Sequence, residues 1–130
     1  MPAFIKKSLN SGRQYVQRVF GANDNIAKGD IITNNQLTGF ALDRAGGANV
    51  IAAQALLGIH IPAECAIMFE HECVTINKAA VQINIGVAVY WDRVALNCTN
   101  VAAGNIRIGN SLATYAANAT EMDIYFNGAN

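Results

Sequence analysis

The sequence predicts an all-β fold, a compact β-barrel or β-sandwich of about eight short strands with an extended N-terminal arm, on three observations. Short runs rich in Val, Ile, Phe and Tyr recur between clusters of Gly, Asn and Asp, at the roughly eight-to-twelve-residue spacing of a sandwich or barrel. Two of these runs alternate cleanly with period two, Val81-Gln82-Ile83-Asn84-Ile85 and residues 122–126, in which Met122, Ile124 and Phe126 share one face while Asp123 and Tyr125 share the other. No internal repeat, low-complexity tract or second domain interrupts the pattern. At 130 residues the chain is one domain, large enough for a core without disulfides. Residues 1–20 form a basic arm and first strand, and residues 21–130 the β domain.

Taken in order, residues 14–20 are the first strand, Asn23-Asp24-Asn25 is a turn, and Ile26 begins the next element. Gly29-Asp30 opens Ile31-Ile32-Thr33, Asn34-Asn35 breaks it, residues 37–42 cross the core, and Gly46-Gly47 breaks again. Residues 48–61 are expected as two strands, because Gly58, Ile59, Ile61 and Pro62 shorten any helix that the alanines favour. From Cys65 to Ile76 the composition is strand-like but the phase is ambiguous, which a bulge or helical turn near Glu70-His71-Glu72 reconciles. Asn127-Gly128 ends the last strand.

Charge is sparse and uneven. Charged residues make up 14% of the chain, and Ala, Asn and Gly fill much of the rest, a surface that packing against other subunits would satisfy. Net charge is zero, yet residues 1–20 carry Lys6, Lys7, Arg13 and Arg18 without an acid, a basic arm on an acidic body. With Phe4 and Tyr15 interleaved, such an arm suits an acidic protein neighbour or, as the alternative, nucleic acid. The acidic body disfavours nucleic acid. Phe4-Ile5 runs at once into Lys6-Lys7, so no secretion signal is expected, and no stretch approaches the ~20 apolar residues of a membrane span. Cys65, Cys73 and Cys98 are expected as buried free thiols, an odd number without paired spacing.

The search for chemistry returns little. His60, Cys65, His71 and Cys73 are zinc-ligand types within a short stretch, but they lack the knuckle spacing of a structural site, so no metal or other cofactor is expected. Thiol–imidazole pairs drawn from the same residues have no nucleophile-elbow or cysteine-protease signature around them. Carboxylates at Glu64, Glu70, Glu72 and Asp92 form no specific pair, and Glu70 and Glu72 are expected on a solvated strand face. No enzymatic activity is expected.

The most informative segment is Gly86-Val87-Ala88-Val89-Tyr90-Trp91-Asp92, a strand that ends in the only tryptophan and an acidic turn residue. It stands after Ala27-Lys28-Gly29-Asp30-Ile31-Ile32, Leu37-Thr38-Gly39-Phe40-Ala41-Leu42 and Gly58-Ile59-His60-Ile61-Pro62-Ala63. Gly104-Asn105-Ile106-Arg107-Ile108-Gly109 and the terminal strand follow it. In that succession the chain resembles the tailed-phage capsid decoration (cement) proteins, a family once of unknown function and sometimes mislabelled phage recombinase. The Gly-x-x-x-x-Gly-Lys-Ser/Thr loop that an ATP-driven recombinase needs is not in the sequence. Where the family usually has an aspartate after the glycine, this chain has Val87, and its basic beginning is longer than the family's.

The resemblance implies a structural protein on the outer capsid surface of the virion, made in the bacterial host cytoplasm. It further implies a homotrimer on local three-fold axes that binds the major capsid protein. On that reading Phe4, Ile5, Tyr15 and Phe20 are the arm's apolar contacts and Lys6, Lys7, Arg13 and Arg18 its charge contacts, to capsid or to a neighbouring subunit. Tyr90 and Trp91 point to opposite faces of one strand, one into the core and the other outward or into a trimer contact.

Overall fold

A computed structural model describes residues 3–5, 13–17, 21–34 and 37–128, with the side chains of 3–5, 17 and 34 excepted. The described elements are β1 (Ala3–Ile5), β2 (Arg13–Gln17), β3 (Asn25–Ile26), β4 (Ile31–Asn34), β5 (Leu37–Ala41), β6 (Ala45–Gly46), α1 (Ala48–Ala55), β7 (Cys65–Asn77), β8 (Ala88–Asp92), β9 (Asn97–Thr99), β10 (Ile106–Ser111) and β11 (Glu121–Asn127). Nine strands form one curled sheet, and β3 pairs with β6 in a separate ribbon. The all-β expectation holds.

β7, thirteen residues long, is the spine. A strand has two edges, so the paired partners of one residue lie on opposite sides of it. Ile67 pairs with Tyr15 on β2 and Ala41 on β5, Glu70 with Arg13 on β2 and Asn127 on β11, and Val74 with Ile5 on β1 and Ile124 on β11. Therefore β2 and β1 follow one another along one edge of β7, and β5 and β11 along the other. The sheet forks there into a leaf of β5 and β4 and a leaf of β11, β10, β8 and β9.

Irregularities in β7 make the fork. One step on β2, Arg13 to Gln14, spans two on β7, from Glu70 to Met68, and two steps on β11, Ile124 to Phe126, span three on β7, Val74 to His71. These bulges bend the strand and re-aim its side chains, as the ambiguous phase around Glu70-His71-Glu72 foreshadowed. At the crotch of the fork Gly128 accepts the Thr38 N–H and donates to the Phe69 carbonyl, both at 2.8 Å. A methyl group on Gly128 would collide with the Thr38 carbonyl, so only glycine fits.

The larger leaf closes on itself. β9 pairs with β8, and Cys98 then bridges in parallel to Lys78, just past the end of β7, where the Ala79 N–H reaches the Cys98 carbonyl at 2.8 Å. Inside the ring lies the main core, with Val74, Ile76, Ile83, Val89, Trp91, Ile108, Met122, Ile124 and Phe126 buried together. A second cluster of Ala41, Ala45, Cys65 and Ile67 packs with Tyr15, Ile26 and Ile32 and joins the β3–β6 ribbon to the smaller leaf.

Three local expectations are corrected. Residues 48–61 contain α1 rather than two strands: Gly58 does stop a helix, but only after two turns, where it adopts φ +77°. The Gly58 N–H reaches the Ala55 carbonyl and the Ile59 N–H the Gln54 carbonyl, each at 3.0 Å, the Schellman closure that suits glycine. Residues 81–85 alternate but are not a strand. Only Ile83 is paired, in a bridge to Tyr115, and a turn at Gly86 (φ +82°) leaves Ile85 exposed. The expected first strand is preceded by β1, unforeseen, and begins at Arg13 instead of Gln14; its residues 18–20 lie outside the described part.

Candidate functional site

The surface offers contacts rather than a reaction centre. Among the described residues no group of three or more His, Cys, Asp or Glu is arranged to hold a metal ion, and no helix is long and apolar enough to cross a membrane. Of the four zinc-ligand types, His60 is exposed beyond α1, Cys65 lies in the second core cluster, and His71 and Cys73 are buried within the bulged stretch of β7. The His71 ring folds back on its own strand, with Nδ1 3.2 Å from the Cys73 N–H that donates to it, and Nε2 is buried without a hydrogen-bond partner. Burial pushes the Cys98 thiol far up, and burial together with the Asp43 charge pushes Cys65 up, so both stay protonated and poor nucleophiles.

The arm's described parts are paired strands. Phe4 and Ile5 sit in β1 opposite Thr75 and Val74, while Lys6, Lys7, Arg18 and Phe20 fall outside the described residues. Arg13 stands exposed at the start of β2 with its Nε 3.6 Å from Glu70 Oε1, and the Tyr125 hydroxyl donates to Glu70 Oε2 at 3.0 Å. Glu70 is thus the centre of a small network and not merely solvated; its hydrogen bond is the main cause that raises the Tyr125 pKa. Tyr15 is half-buried, its ring tilted against Phe69 at 6.1 Å. Arg13 and Tyr15 lie on one side of β7 and Tyr125 on the other, with Glu70 between them.

Tyr90 and Trp91 divide as their strand requires: Trp91 is 2% exposed in the core and Tyr90 is half-buried on the opposite face. Asp92 then turns the chain. Its Oδ1 accepts the Val94 and Ala95 N–H groups at 2.9 and 3.0 Å, which holds its carboxyl below the usual range, and its carbonyl accepts Leu96 N–H at 2.8 Å. The tight turn sets Leu96 at φ +58° and leaves Val94 94% exposed.

Besides Val16, Val94 and Val101, exposed apolar groups stand in three places among the described residues. Leu56 and Leu57, 89% and 71% exposed, project from the end of α1 beside Ile59. Ile85, Val87 and Leu112 are exposed at the far end of the larger leaf, where the Gly86 N–H donates to the Ser111 carbonyl at 2.8 Å. Leu96 borders a cleft of about 440 Å³ that runs from Ile26, Ile31 and Ile32 to Trp91, with Asp30 and Asn77 as its polar members. None of these surfaces presents a convergent set of catalytic groups; they are suited to protein contact.

A family model described as phage cement protein matches residues 10–126. The chain belongs to that family. The match takes in α1, the β3–β6 ribbon and every strand of the curled sheet except β1, ending one residue before the end of β11. No curated protein and no solved structure gives a significant match. Membership supports a role in decorating the phage capsid and a place on the virion. It also gives the sparse charge and exposed apolar surface a reason, because a cement protein works through what it touches.

The sequence located the charged end of β2 and the Tyr90-Trp91 strand but missed the apolar tip at Leu56-Leu57. A signal for it was present: residues 45–63 contain no Asp, Glu, Lys or Arg.

Proposed function

We propose that this cement protein seats on the outer surface of the phage head as a homotrimer at local three-fold axes and clamps neighbouring copies of the major capsid protein. The observation that carries this reading is the family match along residues 10–126; a surface with few charges and exposed apolar groups supports it. Phe4, Ile5, Tyr15 and Phe20 supply apolar contacts and Lys6, Lys7, Arg13 and Arg18 charge contacts to an acidic partner surface. Pairing of β1 and β2 with β7 supports this assignment, because it brings their residues to one edge of the sheet. The mechanism is added interface: each subunit bridges capsid proteins, and many weak contacts act together against the pressure of packaged DNA. The protein has no catalytic role on this reading.

Expanded empty heads made without this protein, mixed with the purified chain and imaged by electron microscopy, test the proposal. Ordered density on the outer symmetry axes is the expected result. Bare heads, with the added protein folded, reject it.

A further inference from the structure

The geometry points to the free edge of β4, with the cleft beside it, as the place where an extended, basic segment of the major capsid protein adds as a further strand. The inference rests on the decoration reading and adds where the shell is gripped and by what chemistry.

The edge is the first reason. β4 stands at the end of its path through the sheet, with β5 on one side and no described strand on the other. Its hydrogen-bonding phase follows from the bonds around it. The Ala41 N–H donates to the Asp30 carbonyl at 2.9 Å, so by alternation the Ile32–Gly39 pair is bonded and the Ile31–Phe40 and Thr33–Thr38 pairs are not. The Thr38 N–H agrees with that phase, because it donates away from β4 to the Gly128 carbonyl. Ile31 and Thr33 therefore turn their N–H and carbonyl groups outward, where no described residue pairs with them. An edge of that kind is a template for strand addition.

The cleft of about 440 Å³ runs along this edge. Ile31 packs with the main core and Ile32 with the second cluster, so the two face opposite sides of β4, yet both line the cleft. It therefore passes round the edge of the strand instead of lying on one face. Asn77 at the end of β7, Trp91 on β8 and Leu96 in the turn before β9 line it from the larger leaf, apolar ground for the alternate side chains of an incoming strand.

Charge selects the occupant. Asp30 is the charged member of the described lining. Its Oδ2 accepts the Ala27 N–H at 2.9 Å, and among the described residues no cation pairs with it. A lysine or arginine on the incoming segment completes that carboxylate. The β4 edge of a second copy, Ile31–Asn34, brings no charge and would leave Asp30 unmatched. Family membership brings the chain to a capsid, so the shell protein is the polypeptide within reach.

The test is binding of the full chain to expanded empty heads, with hydrogen exchange of residues 30–34 in free and bound protein. Thr33→Pro removes an outward N–H at an edge position where a strand tolerates proline, and is expected to weaken head binding about tenfold with the melting curve retained. Thr33→Val keeps the N–H and is expected to bind like wild type. Asp30→Asn keeps an oxygen for the Ala27 N–H, and is expected to bind more weakly and with less dependence on salt. In wild type the Ile31 and Thr33 amides are expected to exchange slowly only on the head. Equal head binding by wild type and folded Thr33→Pro overturns this inference alone. Should that variant misfold, exchange in wild type decides: slowing at Ile31 and Thr33 on the head supports the added strand, and unchanged exchange refutes it. Protection of the same amides in the free chain, lost on dilution, would assign the edge to a second copy and also overturns it. Heads left bare by wild type remove the decoration reading and this proposal with it.

Discussion

The ring of Phe40 meets that of Phe126 edge-to-face, with centroids 5.2 Å apart and planes at 84°, where β5 and β11 diverge from β7. The pair joins the two leaves in one core, and both side chains are almost wholly buried. Replacement of Phe126 by alanine is expected to cost about 3–5 kcal/mol, from lost burial plus the cavity left behind. Denaturant titration measures it; a loss under about 1 kcal/mol would mean that the leaves are not coupled through this contact.

Gly128 is a second point of dependence. Because a Cβ there would strike the Thr38 carbonyl, Gly128→Ala is expected to force β11 away from β5, with a loss of several degrees in Tm. Gly128 and Phe126 lie on the same strand end, so their effects are expected to be less than additive in a double variant.

The three thiols report whether the core is closed. Cys65, Cys73 and Cys98 are all buried, and those of Cys65 and Cys98 are held protonated. Reaction with a thiol reagent at mildly alkaline pH is expected to be negligible in native protein and complete after denaturation. Rapid labelling of Cys98 in native protein would contradict the closure of β9 onto Lys78.

Alkaline stability carries the mark of Tyr125. Its pKa is raised chiefly by the hydrogen bond to Glu70, so the folded state retains the phenol proton more tightly than the unfolded chain does. That contribution is fully present below the ordinary tyrosine range near 10 and is lost as pH rises through the folded value. Lys78 acts in the opposite sense over the neighbouring range: desolvation lowers its pKa, so the cost of its charged form disappears as pH rises. Comparison of wild type with Tyr125→Phe isolates the first effect. The variant is expected to lose less stability between pH 9 and 11, on the order of that window around the tyrosine value, and identical profiles would remove the Glu70 bond from the account.

Deletion of residues 1–12 tests the arm. The family match begins only at residue 10, so the domain is expected to stay folded without its β1 edge strand while head occupancy falls, most steeply at high salt where the charge contacts are screened. Undiminished occupancy would assign attachment to other surfaces.

What could be read from the sequence follows from how many faces a segment buries. Met122, Ile124 and Phe126 show their alternation because β11 presents one face to the core and one outward. The same alternation at 81–85 misleads, because the segment has a single bridge and its turn rotates Ile85 to solvent. β7 hides its length because bulges reset its phase twice, and β1 is too short to show any period. Arg13 was legible from charge alone; its partner Glu70 lies 57 positions on, and local pattern cannot show that pairing. Leu96 raises a different point. An exposed leucine at φ +58° is costly where glycine or asparagine would relax, so the residue type at the turn after Asp92 could not be anticipated from turn chemistry.

The shared strand decides how such a subunit comes apart. Both leaves draw their pairing from one continuous strand, β5 from Ile67 and Met68 and β11 from residues 70–77, so loss of β7 takes both leaves with it. Unfolding is therefore expected to be cooperative across the two leaves, and on the decoration reading a loaded copy would let go as a whole and not by halves.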